Sequence, residues 1–193
     1  MRLLLVTVFT LALAAPAQAG PLQDAQAAYD RGKYAVALDL WQPLAEQGDP
    51  DAQTGLGNLY LGGYGVTRDE AAAMAWFAKA AKQGHANGQL SLGSLYYARK
   101  EYATAASWYR RAAEQGNAVA EIRLARQYAE GTGLPRDDVQ AYKWFSIAAV
   151  RAADSYARTN AAKGRETAAT RLTPAQVTEA ERLAREWKPK MER

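Results

Sequence analysis

The sequence contains no cysteine among its 193 residues. This one absence removes disulfides, thiolate metal ligands, cysteine nucleophiles and a lipid-bearing cysteine, so stability has to come from packing. Histidine is almost as scarce. His85 is the single one, and with no second imidazole and no thiolate to join it, no zinc donor set exists and it reads as an exposed loop residue without partners. No Ser-x-x-Lys, paired-histidine or Gly-x-Ser-x-Gly arrangement occurs, and Gly62-Gly-Tyr-Gly lacks the lysine and following Ser or Thr of a phosphate loop. The expectation is a chain with no catalytic, cofactor-binding or metal-binding residues.

β-Branched residues are also few. The 49% apolar content leans on alanine and aromatic rings, a balance that favours helices over strands. The longest apolar run, Leu3 to Ala15, spans 13 residues, short of the roughly 20 needed to cross a bilayer as a helix. With Arg2 before it and Ala17-Gln18-Ala19 after it, residues 1–19 read as a secretory signal peptide cleaved after Ala19, leaving a periplasmic or secreted protein with no transmembrane segment. Residues 20–135 carry 11 basic and 12 acidic side chains, and residues 136–193 carry 12 and 8. The basic surplus is therefore confined to the C-terminal third, without the stacking aromatics or recognised module of a nucleic-acid binder.

What the chain does have is internal repetition. Leu44-Ala-Glu-Gln-Gly-Asp, Ala80-Ala-Lys-Gln-Gly-His and Ala112-Ala-Glu-Gln-Gly-Asn place glycines at 48, 84 and 116, spaced by 36 and 32. Tyr29, Tyr60, Tyr96 and Tyr128 recur at 31, 36 and 32, and Trp76-Phe77, Trp108-Tyr109 and Trp144-Phe145 at 32 and 36. These are helix-pair periods of the tetratricopeptide kind.

Each unit parses as helix, turn, helix, turn. Asp49-Pro50 is a helix start, the run from there to about Leu61 is the first helix of the second unit, and glycines 62, 63 and 65 release it into a loop. The second helix begins near Asp69, turns Ala73, Trp76, Phe77 and Ala80 to one face, and stops at Gly84. Short turns (Gly32-Lys-Tyr-Ala, Lys100-Glu-Tyr-Ala) alternate with long loops (Gly62 to Asp69, Glu130 to Asp137).

The expected division is a repeat domain over 20–150, with units near 22–53, 54–89, 90–121 and 122–156, followed by capping helices and a tail over 157–193. In that last part Thr173-Pro174-Ala-Gln176 is a capping-box start. Val177, Ala180, Leu183, Ala184 and Trp187 form the stripe that should close the last repeat, and Pro189 ends the helix.

Leu56-Gly-Asn-Leu-Tyr60, Gly63-Tyr-Gly-Val-Thr-Arg-Asp69, Trp76-Phe and Lys79-Ala-Ala-Lys-Gln-Gly84-His-Ala together closely resemble the Sel-one-like repeat family, over roughly residues 25–150. The resemblance implies an all-α, right-handed α-solenoid of about four helix-turn-helix repeats whose concave face recruits other proteins, often in envelope assembly, signalling or host contact. Repeat one departs by lacking the long loop and by having Leu40-Trp41 for the aromatic pair, and Ala125 stands where Gly57 and Gly93 stand in earlier units.

Trp76, Trp108 and Trp144 hold fixed register and read as core, and Asp69, Glu70, Asp137 and Asp138 as helix-capping acids. The functional expectation is an interaction module for another protein or peptide. By analogy with tetratricopeptide packing, Asp51, Thr54, Asn58, Asn87, Ser94, Tyr97, Arg126 and Glu130 are its candidate partner-binding residues. The alternative is a cell-wall or anionic membrane-surface binder acting through Arg151, Arg158, Lys163, Arg165 and Arg171. A β-lactam-processing role, suggested by some cysteine-linked relatives, finds no residues to support it.

Overall fold

The computed structural model describes residues 20–190; the leader expected over 1–19 lies outside them. Every regular element among the described residues is a helix. Four antiparallel pairs follow one another: α1 (Pro21–Asp30) with α2 (Tyr34–Glu46), α3 (Pro50–Gly62) with α4 (Glu70–Lys82), α5 (Ala86–Ala98) with α6 (Tyr102–Glu114), and α7 (Ala118–Glu130) with α8 (Asp138–Arg151). From α1 to α9 each helix packs on its chain neighbours, giving an α-solenoid whose buried core falls into three successive clusters, joined by half-buried rings such as Trp76 and Tyr96.

The recurring sequence signals act locally. Asp49, Asp69, Asn117 and Asp137 each accept a hydrogen bond from the backbone N–H three residues on, at 2.8 to 3.0 Å, satisfying donors the first turn leaves free. Gly48, Gly84 and Gly116 take φ of +101°, +83° and +90°, a conformation that lets the chain reverse between units and that a side chain would strain.

One of each aromatic pair enters the core, and it is the second. Phe77, Tyr109 and Phe145 are buried, whereas Trp76 and Trp108 are only half-buried. Lys79 Nζ lies 3.7 Å above the Trp76 ring and the Arg111 guanidinium 4.6 Å above Trp108. This corrects the expectation that all three tryptophans are core. Adjacent helical residues point about 100° apart, so only one of two neighbouring rings can face the partner helix. Trp144 is buried because α10 (Pro174–Glu186) covers it, with the Trp187 ring edge-on at 5.8 Å.

The inward ring also explains the small residue on the facing helix. A Cβ on Gly57 would sit 2.4 Å from Phe77, and one on Gly93 2.9 Å from Tyr109. In the fourth unit Ala125 is accommodated, and Phe145 instead makes its closest glycine approach to Gly164 of α9 (Ser155–Ala169), where a Cβ would come within 2.5 Å of the ring.

Alternation of short and long connections has a structural purpose. The tip of each long loop rests on the helix start that follows the short turn of the preceding unit. A Cβ on Gly65 would meet Tyr34 and Ala35, and one on Gly133 would meet Tyr102 and Ala103. The Tyr34 and Tyr64 rings stack at 4.7 Å, and Gln127 Nε2 donates to the carbonyls of both Tyr102 and Thr132 at 3.0 Å. Repeats one and two, and three and four, are thereby clasped in pairs.

Two helices follow the repeats, and the expected stripe of Val177, Ala180, Ala184 and Trp187 packs against the core of the last repeat. α9 takes the place of a further inner helix and covers the open ends of α7 and α8, while α10 packs on the outside of α8. Its capping box forms between Thr173 and Gln176. The helix stops at Glu186, ahead of Pro189, and the extended tail reaches back so that Lys190 N–H donates to the Glu114 carbonyl at 2.8 Å.

Candidate functional site

The inner helices α1, α3 and α5 lie side by side and line a concavity of about 450 Å³. Trp41 and Gly55 form its floor, Leu22 and Leu90 its apolar walls, and Asp51, Asn58, Asn87 and Ser91 its polar ones. A Cβ on Gly55 would collide with the Trp41 ring at 2.5 Å, so the bare backbone there is what lets the ring lie under the floor.

His85 is the largest departure from the sequence reading. It is neither exposed nor without partners: it caps α5, its Nδ1 accepting from Gly88 N–H at 3.3 Å and lying 3.0 Å from Thr54 Oγ1, while Nε2 sits 3.0 Å from Asp51 Oδ1. The Thr54 hydroxyl also lies 2.8 Å from the Pro50 carbonyl, an ordinary helix back-bond. The cluster cross-ties α3 to α5 and presents the exposed edge of Asp51 to the concavity. Among the described residues, no group of three or more His, Cys, Asp or Glu could hold a metal ion.

Asp51, Thr54, Asn58 and Asn87 thus share one concavity. Asn87 Oδ1 also accepts from Asn117 Nδ2 at 2.9 Å. Ser94 and Tyr97 are directed towards α6 instead: Ser94 Oγ donates to the Leu90 carbonyl and lies 3.4 Å from Tyr109 Oη, and the Tyr97 ring packs edge-on to Tyr102 at 5.0 Å. Arg126 and Glu130 lie further along, in a second trough between α7 and α9. The acids expected to cap divide their work. Asp69 and Asp137 cap, while Glu70 pairs with Arg99 at 2.9 Å and Asp138 with Arg136 and Arg171 at 2.8 and 3.3 Å.

The joints between repeats carry a polar motif that the sequence reading missed. Gln53 Nε2 donates to the Ala45 carbonyl at 3.1 Å, and Gln53 Oε1 accepts from Gln83 Nε2 at 2.9 Å. The next joint repeats this with Gln89, Ala81 and Gln115, at 3.4 and 2.8 Å. At the third joint the corresponding residues are Glu121 and Arg151, separated by the same steps of 32 and 36. Arg151 Nε lies 3.7 Å from Glu121 Oε1 and its guanidinium 5.2 Å from the Trp187 ring centre. Glu121 is fully buried, neither carboxyl oxygen has a hydrogen-bond partner, and burial pushes its pKa up to about 7, with Arg151 opposing the rise. The signal was available: reading the repeat register through Gln53 and Gln89 leads to an acid at 121.

A family model described as Sel1 repeat matches residues 50–85, 87–117 and 118–149. Among solved structures, the chain is similar to a Sel1 repeat protein from Oxalobacter formigenes, with 26% identity and a TM-score of 0.64 over 87% of this chain and 72% of that one. It is also similar to c5321, a protective antigen of uropathogenic Escherichia coli strains with an SLR fold, at 26% identity and a TM-score of 0.49 over 86% of this chain and 44% of that one. No curated protein matches the chain.

Proposed function

Because the chain belongs to the Sel1 repeat family, a non-catalytic repeat scaffold whose members typically bind proteins, we propose that it is an exported scaffold that holds an extended segment of another protein against its inner helices, in the bacterial cell envelope. The observation that carries this reading is the convergence of Asp51, Asn58, Asn87 and Ser91, from two successive inner helices, on one open concavity. Side-chain amides and hydroxyls both donate and accept, so they suit the unpaired backbone of an extended peptide, and the rigid helices beneath them need no ordering on binding. Export, to the periplasm or beyond it, is supported by Arg2, the apolar run Leu3 to Ala15 and Ala17-Gln-Ala19.

The surface-binder alternative has less support. Of its five cations, Arg151 pairs with Glu121 and stacks on Trp187, Arg158 donates to the Ala152 and Ala153 carbonyls, and Arg171 pairs with Asp138. A polyanion would meet only part of the charge that the sequence counts.

In-cell crosslinking followed by mass spectrometry tests the proposal, with a variant altered at Asn58, Asn87 and Arg126 as the control. The expected outcome is one envelope protein captured by the native chain and lost with the variant. Equal capture by both would exclude the inner face as the binding surface.

A further inference from the structure

The two ends of the inner face differ in charge. The α1, α3 and α5 concavity has Asp51 and amides and no lysine or arginine in its lining. Between α7 and α9 the troughs of about 390 and 350 Å³ share Arg126 and Asn160, so they form one channel. Arg123 and Arg126 stand three residues apart on α7, and Lys163 of α9 lines the larger trough with Arg126. All three are exposed, and among the described residues no carboxylate lies within ion-pair distance of any of them. Two acids share the lining: Asp154 caps α9 through Ala157 N–H at 2.7 Å, and Glu130 stands one turn beyond Arg126 on α7, beside Thr132 at 3.4 Å; against them stand Arg123, Arg126, Lys163 and Arg171, so the lining stays cationic.

Apolar groups sit directly beside the cations. Tyr156 is 75% exposed and Val119 45% exposed, and both line the same channel with Ile122. Exposed apolar side chains next to unpaired arginines are a combination that solvation alone does not favour and that a ligand with matching parts would cover.

We infer that the α7–α9 channel binds an acidic peptide segment of a partner protein, its carboxylates on Arg123, Arg126 and Lys163 and an adjacent aromatic or aliphatic side chain on Val119 and Tyr156. This rests on the reading of the inner face as a peptide-binding surface and adds the partner's chemistry and polarity. Arginine fits the role because its planar donors grip carboxylates two at a time. A protein segment is favoured over a lipid surface because the cations line a channel between helices, whereas a membrane would need them on a convex or flat face.

The test is selection of a random dodecapeptide library displayed on phage against the full chain, compared with Arg123→Gln/Arg126→Gln/Lys163→Gln and with Arg31→Gln/Lys82→Gln, two exposed cations outside both the concavity and the channel. The expected pool is enriched in Asp and Glu next to apolar residues. The triple variant should retain such peptides at least tenfold less, the second variant should retain them fully, and raising salt from 50 to 500 mM should weaken them steeply. The salt arm needs no variant, and thermal melting of the triple variant checks its fold. Peptides without acid enrichment, or equal retention by the triple variant, would overturn the channel assignment while leaving the peptide-binding reading in place. No enriched peptide at all would overturn both. Binding of phosphatidylglycerol vesicles that depends on the same cations, with no acidic peptide selected, would reassign the channel to a lipid surface.

Discussion

The first two joints of the solenoid and the third use the same positions for opposite chemistry. In the first two, an inner-helix glutamine donates to the last turn of the preceding outer helix and accepts from a second glutamine, so each buried amide has a partner for both its nitrogen and its oxygen. In the third, the inner residue is Glu121, which when ionised can only accept, and its outer partner is the half-exposed Arg151. A neutral amide fits its site at any pH. A buried carboxylate fits only when it is protonated or paired, so the C-terminal joint is the one whose strength depends on solution conditions.

Removing the pairing cation should break the contrast most severely. Arg151→Ala leaves Glu121 to escape its buried charge by taking up a proton, which one pH unit above its pKa of about 7 costs about 1.4 kcal/mol; with the lost stacking, the expected loss at pH 8 is about 2 to 3 kcal/mol, read as a fall in urea midpoint. At pH 5 Glu121 is protonated, and the loss should shrink to about 1 kcal/mol from the missing stacking on Trp187. Equal losses at both pH values would show that Arg151 acts by packing alone.

Titration of Glu121 itself comes next. Its folded pKa of about 7 stands above its ordinary 4.5, so the folded state holds the proton more tightly than the unfolded chain does. Stability from this group is therefore fully present below about pH 4.5, is lost as pH rises towards 7, and is absent above that, an effect of about 3 kcal/mol. Glu121→Gln should remove it: the variant should be about 2 to 3 kcal/mol more stable than the native chain at pH 8 and no more stable at pH 4.5, with the difference between the two urea curves as the readout.

The reverse exchange sharpens the comparison at a smaller scale. Gln89→Glu places a carboxylate against the Ala81 carbonyl with no cation opposite, and about 2 kcal/mol should be lost at pH 8. Gln89→Glu/Gln115→Arg should recover part of that loss, because it rebuilds the third joint at the second. No recovery would mean that the Trp187 cover is an essential part of the third joint.

The sequence carried the solenoid well because its signals are local: Asp-Pro starts, glycines at 48, 84 and 116, and a capping box at Thr173 each determine the backbone within a few residues. It was less informative where geometry brings distant residues together. Nothing near His85 in the chain points to Asp51, 34 residues earlier, yet the two meet at 3.0 Å because they occupy neighbouring inner-helix starts. Likewise Trp76 and Phe77 look equivalent until the helix is laid against Gly57, which admits one ring. Among the candidate binding residues, Asp51, Thr54, Asn58 and Asn87 converge, whereas Ser94 and Tyr97 turn towards α6, a distinction of helix rotation that the repeat pattern does not encode.

Arg126 and Glu130 provide the finest test, since they separate joint from surface within the same helix as Glu121. α7 buries Glu121 on the side packed against the preceding repeat and exposes Arg126 and Glu130 to the channel. The double charge reversal Arg126→Glu/Glu130→Arg keeps the net charge and touches no buried group, so it should change stability by less than about 1 kcal/mol at either pH. It should nonetheless weaken capture of the crosslinked partner, because it places an acid among the cations of the channel. A stability loss comparable to that of Arg151→Ala would mean that these two side chains belong to the joint; unchanged stability with unchanged capture would move the binding surface towards Asp51 and Asn58. Weakened capture with an unchanged melt would divide α7 into a face that holds the solenoid together and a face that meets its partner.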